Sequence, residues 1–260
     1  MINLTMIANE VKGNVAYLTI QSPPANALSR TLLKDLNNQL DRIEQENNVK
    51  AVVLKGEGRF FSAGADIKEF TGLQNTADYA SLATNGQHVF SRMEQFSIPI
   101  IAAIHGAALG GGLELAMACH IRIVTANAKL GLPEVNLGII PGFGGTQRLP
   151  RYVGASKAYE MILTGEPING EQAAAWGLAN SVVSEEALMS EAAKLAEKIA
   201  AKSKPAIQHI MHLVSVSKTE VFSKGEEEEA NAFSQVFGNE DAKEGIQAFL
   251  EKRQANFKDK

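Results

Sequence analysis

The first half of the chain alternates short apolar runs with amphipathic stretches of helical period. Asn14 to Ile20 takes apolar and polar residues by turns and predicts a strand with one exposed face, ended by Ser22-Pro23-Pro24. Ser29 is placed to cap a helix running to about Asn47, because Leu32, Leu33, Leu36, Leu40 and Ile43 share one face. A short apolar strand over Lys50 to Lys55 follows, then a helix from about Ala77 to Gln95. A buried strand over Pro99 to Ile104 leads directly into Gly110-Gly111-Gly112. Beyond about Lys129 the pattern turns helical, with helices predicted over Ala155 to Leu163, Gly170 to Trp176 and Glu185 to Ala201. Pro205 restarts the chain, and three more helical patterns follow, separated by Ser217 and by Gly238-Asn239. The acidic run Glu226 to Glu229 reads as a solvated helix face. Strand and helix in alternation predict an α/β core over residues 1–203, with a helical C-terminal subdomain over 204–260.

Composition narrows what such a domain can do. The chain has 260 residues, 45% of them hydrophobic and 21% charged, enough for one large core. A net charge of −4 and the absence of a Lys/Arg cluster give no electrostatic footprint for nucleic acid or a membrane surface. The expected partners are small molecules or copies of the chain itself. One cysteine, Cys119, rules out an internal disulfide and a cysteine-rich zinc site, and its apolar neighbours predict an inert core thiol in a reducing compartment. Met1 to Asn14 has neither a continuous apolar stretch nor an Arg-rich amphipathic one, so the expected location is cytoplasmic.

Two carboxylates stand out against this background. From Gln95 to Ile121 the only Asp, Glu, Lys or Arg is Glu114, and from Leu130 to Gln147 the only one is Glu134. Glutamate is ordinarily a solvated surface residue. Here Glu114 sits in Gly-Gly-Gly-Leu-Glu-Leu-Ala-Met-Ala-Cys, with no cation at helical spacing, in a helix that reads as buried on most sides. Burying a lone carboxylate costs about 1–3 kcal/mol even when partly compensated. Two such sites in neighbouring segments predict a shared cleft.

The glycine triplet follows a strand and opens a helix, which invites a nucleotide-binding reading that fails on spacing. Neither G-x-G-x-x-G nor G-x-x-x-x-G-K-[ST] is present, and H-E-x-x-H and G-x-S-x-G are also absent. What glycines at a helix start do supply is backbone N–H donors, unshielded by side chains, at the positive end of the helix dipole. Glu114 lies three residues after Gly111, so on a helix it projects beside that donor. A second open segment, Phe61-Ser62-Ala63-Gly64-Ala65-Asp66, leaves its backbone accessible, with Asp66 placed to cap a following helix.

Four blocks of sequence, in consistent order across nearly the whole chain, resemble the crotonase (enoyl-CoA hydratase/isomerase) superfamily. They are Phe61-Ser62-Ala63-Gly64-Ala65-Asp66-Ile67-Lys68-Glu69; His105 through Ala116; Gly131-Leu132-Pro133-Glu134 with Leu137 through Leu149; and Ala173 through Asn180. The ending Phe249-Leu250-Glu251-Lys252-Arg253 is similar as well. The resemblance implies a spiral of ββα repeats with a helical part that packs trimers, often paired into hexamers, and a coenzyme A thioester as substrate with no separate cofactor or metal. It places the thioester oxygen on the backbone amides of Ala65 and Gly111, and the two glutamates of hydratase members on Glu114 and Glu134. CoA and acyl contacts would fall on Ala63, Asp66, Ile67, Gly142 and Phe143. Phe233, Phe249 and Lys252 match positions that reach the CoA of a neighbouring subunit. The chain departs from common family sequence at His120, where Asp is frequent, and at Phe143, where a smaller residue is frequent.

Hydration of a 2-enoyl thioester needs water at Cβ, a proton at Cα and stabilisation of the charge that collects on the thioester oxygen. Two preset N–H donors answer the last requirement and two carboxylates around one water answer the others. Retention of both glutamates favours trans-2-enoyl-CoA hydration, as in fatty-acid β-oxidation. The alternatives are Δ3-Δ2-enoyl-CoA isomerisation and hydration of a branched or carboxylated enoyl-CoA. An RNA-binding role, known for a hydratase relative, would need a basic helix that this acidic chain does not offer.

Overall fold

The computed structural model describes residues 5–70 and 76–260. Of the N-terminal stretch read above, Met1 to Leu4 lie outside the described residues. The chain runs β1 (Ile7–Lys12), β2 (Val15–Ile20), α1 (Arg30–Gln45), β3 (Ala51–Gly56), α2 (Ile67–Phe70), α3 (Thr76–Glu94), β4 (Ile100–Ile104), β5 (Ala107–Leu109) and α4 (Gly111–Ala118). It continues through β6 (Ile121–Thr125), β7 (Lys129–Gly131), a 3-10 turn (Pro133–Leu137), α5 (Gly145–Thr164), α6 (Gly170–Ala175), β8 (Ser181–Val183), α7 (Leu188–Ala200), α8 (Lys204–Val216), α9 (Phe222–Phe237) and α10 (Glu240–Leu250).

Six strands form one sheet in the order β1-β2-β3-β4-β6-β8, antiparallel only between β1 and β2. Val15 pairs with Ala51, Val52 with Ile100 and Ile101 with Ile121, so alternate residues of each strand point to opposite faces in step. One face carries Ala16, Leu18, Ile20, Val52, Leu54 and Ile104 into a large core with Leu32, Leu36 and Leu40 of α1 and Phe90 and Met93 of α3. The other face presents Val15, Ala51, Val53, Ile101 and Ala103 to Leu188, Ala192, Ala196 and Ala200 of α7. β2 therefore lies inside the sheet, and the exposed face expected for it is only half covered by α7. Its alternation separates two apolar layers, with the half-buried Tyr17 and Thr19 on the α7 side.

Helix α1 forms as the pattern predicts. The Ser29 side chain accepts the Leu32 N–H, and Leu32, Leu33, Leu36, Leu40 and Ile43 are all buried. α3 occupies the predicted stretch, and the predicted β3 and β4 are shifted by a residue. Between β4 and the triple glycine an unpredicted strand intervenes. β5 pairs in parallel with β7 as a second, two-stranded sheet, and that pairing carries the glycines to their place. β7 and β8 interrupt the region read as wholly helical. Helix α5 begins ten residues before its predicted start and is broken at Gly154.

His120 is explained by its surroundings. Its Nδ1 accepts the Ile100 N–H at 2.9 Å, and burial pushes its pKa down to about 4, so it acts as a neutral spacer between β4 and β6. Cys119 is fully enclosed and burial pushes its thiol up to about 12. The last three helices pack on one another and leave Phe222, Phe233, Phe237 and Phe249 largely exposed. Among the described residues, no helix is long and apolar enough to cross a membrane.

Candidate active site

Two short backbone segments are brought edge to edge by β5. Ser62 N–H donates to the Ala107 carbonyl and Leu109 N–H donates to the Ser62 carbonyl, which lays residues 63–65 beside residues 109–111. Asn26, buried in a left-handed conformation (φ 53°), donates to the Glu57 and Phe60 carbonyls and accepts the Ser62 hydroxyl on its own carbonyl. It fixes the loop that delivers Ala63 to Ala65. Gly110, at φ 52° and ψ −127°, turns the chain from β5 into α4, a conformation few side-chain-bearing residues adopt. A Cβ at Gly111 would stand 3.2 Å from the Ala65 nitrogen, so the two amides are neighbours. Ala65 is bypassed by its own bridge, because Gly64 C=O and Asp66 N–H take the bonds to Leu28. Among the described residues, neither the Ala65 nor the Gly111 N–H is taken by another group of the chain. Two donors thus point from adjoining segments at the head of α4.

Helix α4 is buried along its whole length, and Glu114 in its first turn is 1% exposed. Its Oε1 accepts the Phe143 N–H at 2.8 Å and the Gly145 N–H at 2.7 Å. A Cβ at Gly145 would stand 2.9 Å from that oxygen, so the approach needs a residue without one. The far end of α4 is held by Arg122, whose guanidinium donates to the Cys119 carbonyl at 2.7 Å and lies over the Tyr152 ring.

Glu134 comes from the 3-10 turn and is half-buried. Its Oε1 faces Gly110, where a Cβ would come within 2.9 Å, while its Oε2 is buried without a hydrogen-bond partner among the described residues. Burial pushes the Glu114 carboxyl up to about 7; the Gly145 and Phe143 N–H groups and Arg148 pull it down, and the nearby Glu134 pushes it further up. Burial also raises Glu134, against a hydrogen bond from its own backbone. Both carboxyls are thus raised, and the charge of Glu134 acts on Glu114.

Both carboxylates and both amides line one cavity of about 620 Å³. Ala63, Ile67, Gly142 and Phe143 line it too, as the sequence predicts. Asp66 precedes α2 but is not part of the lining. Phe233 on α9, Phe249 in the last turn of α10 and Lys252 just after it are exposed, and none of them lines the cavity of their own chain. Leu82 and Ala83 of α3 and Leu137, Ile139 and Ile140 after Glu134 complete the apolar wall, and sequence reasoning missed all five. Ile140 is 75% exposed and Leu137 58%, an unusual display for aliphatic residues that reads as the rim of a binding site. Apart from Glu114 and Glu134, no described lining residue is charged.

Comparison with known proteins places the chain in a family. The enoyl-CoA hydratase/isomerase family model matches residues 10–260. A probable enoyl-CoA hydratase of Bacillus subtilis (strain 168) is 56% identical over 245 residues, covering 94% of this chain and 95% of the relative. A short-chain-enoyl-CoA hydratase of Clostridium acetobutylicum is 41% identical, covering 96% of each. The crystal structure of an enoyl-CoA hydratase from Bacillus anthracis superimposes with a TM-score of 0.93 at 38% identity, covering 98% of this chain and all of that one.

Proposed function

The chain belongs to the enoyl-CoA hydratase/isomerase family, and on that premise we propose how its cavity works as an enoyl-CoA hydratase, adding water to a trans-2-enoyl-CoA. The observation that carries the reading is one apolar cavity containing two carboxylates and two adjacent backbone donors that nothing else in the described chain uses. The Ala65 and Gly111 N–H groups take the thioester oxygen, where negative charge gathers as water attacks Cβ. Each such donor is worth about 2.7–4 kcal/mol in comparable acyl-transfer sites. Glu114, anchored through Oε1, keeps its other oxygen to orient and deprotonate the water. Glu134, with an unpartnered oxygen and a raised pKa, supplies the proton to Cα.

The apolar wall favours an uncharged acyl group over a carboxylated one, since no cation among the described lining residues would answer a terminal carboxylate. A role in fatty-acid oxidation and a cytoplasmic location fit that substrate and the single buried thiol. Exposed Phe222, Phe233, Phe237 and Phe249 suit packing of copies into a trimer or a pair of trimers, with Phe233, Phe249 and Lys252 meeting a neighbour's CoA. The test is to mix the purified chain with crotonyl-CoA and with longer, branched and carboxylated enoyl-CoAs and follow loss of the conjugated thioester absorbance. Loss with crotonyl-CoA is expected; no loss with any of them would sink the reading. Sedimentation velocity tests the assembly, and a monomer would remove the neighbour's contribution.

A further inference from the structure

The loop that holds Glu114 is itself held from behind. Arg148, in the first turn of α5 and 6% exposed, donates through Nη1 to the Phe143 carbonyl at 2.8 Å, while the Phe143 N–H on the other side donates to Glu114. Gly144, between them at φ 98°, has no Cβ because the Arg148 guanidinium fills that space. The 143–145 loop is therefore sandwiched between a buried cation and a buried carboxylate, with Phe143 presenting its carbonyl to one and its N–H to the other.

Arg148 is fixed in turn by Glu94, the last residue of α3, whose Oε2 takes its Nε at 3.0 Å. Glu94 also receives Lys218, from the turn after α8, at 2.9 Å on Oε1, with Arg151 at 3.9 Å. His120 Nε2 lies 3.3 Å from the Glu94 carbonyl. Burial pushes the Glu94 carboxyl up, but Lys218 and Arg148 hold it below the usual carboxylate range. The charged groups acting on Glu114 are Glu134 from the 3-10 turn and Arg148 from α5.

We propose that Arg148 is a positioning residue for the hydration reaction: clamped by Glu94, it fixes the 143–145 loop whose two N–H groups aim the Glu114 carboxylate. This rests on the hydratase reading for its consequence in turnover but not for its consequence in the loop. Arg148 sets both the placement of Glu114 and the local potential, through one guanidinium that a lysine cannot replace, because a single ammonium does not span Glu94 and the Phe143 carbonyl together.

The test compares Arg148→Met, Arg148→Lys and Glu94→Gln with the unaltered full chain. Turnover of crotonyl-CoA is followed against pH, and the Glu114 carboxyl is titrated directly by carbon-13 NMR of glutamate-labelled protein, its signal assigned by its loss in Glu114→Gln. Arg148→Met is expected to lower kcat about 10- to 100-fold, the cost of a misplaced catalytic group, with KM changed less than about threefold. It should also carry the Glu114 titration upward from about 7, as removal of a nearby cation requires. Arg148→Lys should restore most of the titration but not kcat. Glu94→Gln leaves the guanidinium without its counter-charge and should move the titration the opposite way. A folded Arg148→Met with unchanged kcat and titration would overturn the proposal, as would Arg148→Met and Glu94→Gln moving the titration in the same direction. If Arg148→Met does not fold, Arg148→Lys and Glu94→Gln decide: full kcat in Arg148→Lys, or no displacement in Glu94→Gln, overturns it. Absence of turnover in the unaltered chain would remove the functional reading and leave the titration to judge Arg148.

Discussion

Glu114 is a buried carboxylate with a clear pH signature. Its folded pKa of about 7 lies above the ordinary carboxylate value, so folding favours the protonated form. That contribution to stability is fully present below the ordinary value near 4.5 and is lost as pH rises through 7. Glu114→Gln keeps an oxygen to accept the Phe143 and Gly145 N–H groups without the charge. Thermal unfolding at pH 8 should show the variant more stable than the unaltered chain by on the order of 1–3 kcal/mol, with the difference vanishing near pH 4. The same variant should lose about 10²- to 10⁴-fold in kcat, as should Glu134→Gln, since each removes a proton-transfer group. If Glu114 is the base, kcat/KM of the unaltered chain falls as pH drops through about 7. A plateau down to pH 5 would exclude that role. The two glutamates were legible in the sequence because charge is conspicuous in apolar surroundings. The donors that hold Glu114 were not, because a backbone N–H leaves no mark on residue type. Arg148 was hidden too, since its partner Glu94 belongs to another helix.

Elements with long, strongly periodic patterns formed where the pattern put them: α1, α3, α7 and the three helices after Ser203. The strands that escaped were β1 and β6 and, with them, β5, β7 and β8, the last three each three residues long, too short to show a period and stabilised by pairing with distant strands. They matter most for the site, because the pairing of β5 with β7 and with Ser62 sets the two amides side by side. The start of α5 was misread because Gly142 to Gly145 resemble a loop and Pro150 a break, whereas Gly144 and Gly145 are demanded by Arg148 pressing on one and Glu114 on the other. Gly145→Ala tests that pressure. Its Cβ would meet the Glu114 carboxylate and displace it, so kcat should fall about 10- to 100-fold while the folded chain and KM for crotonyl-CoA change little. Unchanged kcat would mean that the carboxylate tolerates the shift.

Across the whole molecule, the final residues close the fold. Asp259 Oδ1 pairs with the buried Lys50 ammonium at 2.6 Å, just ahead of β3, and accepts the Lys204 N–H at the start of α8 at 2.8 Å. Asp241 of α10 accepts the Lys258 and Asp259 N–H groups. Asp259 and Asp241 thus join the start of β3 to α8 and α10. Asp259→Ala would leave the Lys50 charge, 7% exposed, with only the Lys202 carbonyl at 3.1 Å to answer it and should cost on the order of 1–3 kcal/mol, read as a lower midpoint in urea unfolding. Lys50→Met with Asp259→Ala should recover part of that loss, because the penalty belongs to the stranded charge. This clamp also gives the molecule an order of assembly on the ribosome. β3 and its neighbours emerge early, yet the counter-ion of Lys50 is translated after every helix it fastens. Until Asp259 is made, the ammonium has only the Lys202 carbonyl, at 3.1 Å, to receive it, so the junction of the sheet with α8 completes its contacts only after α8, α9 and α10 have emerged.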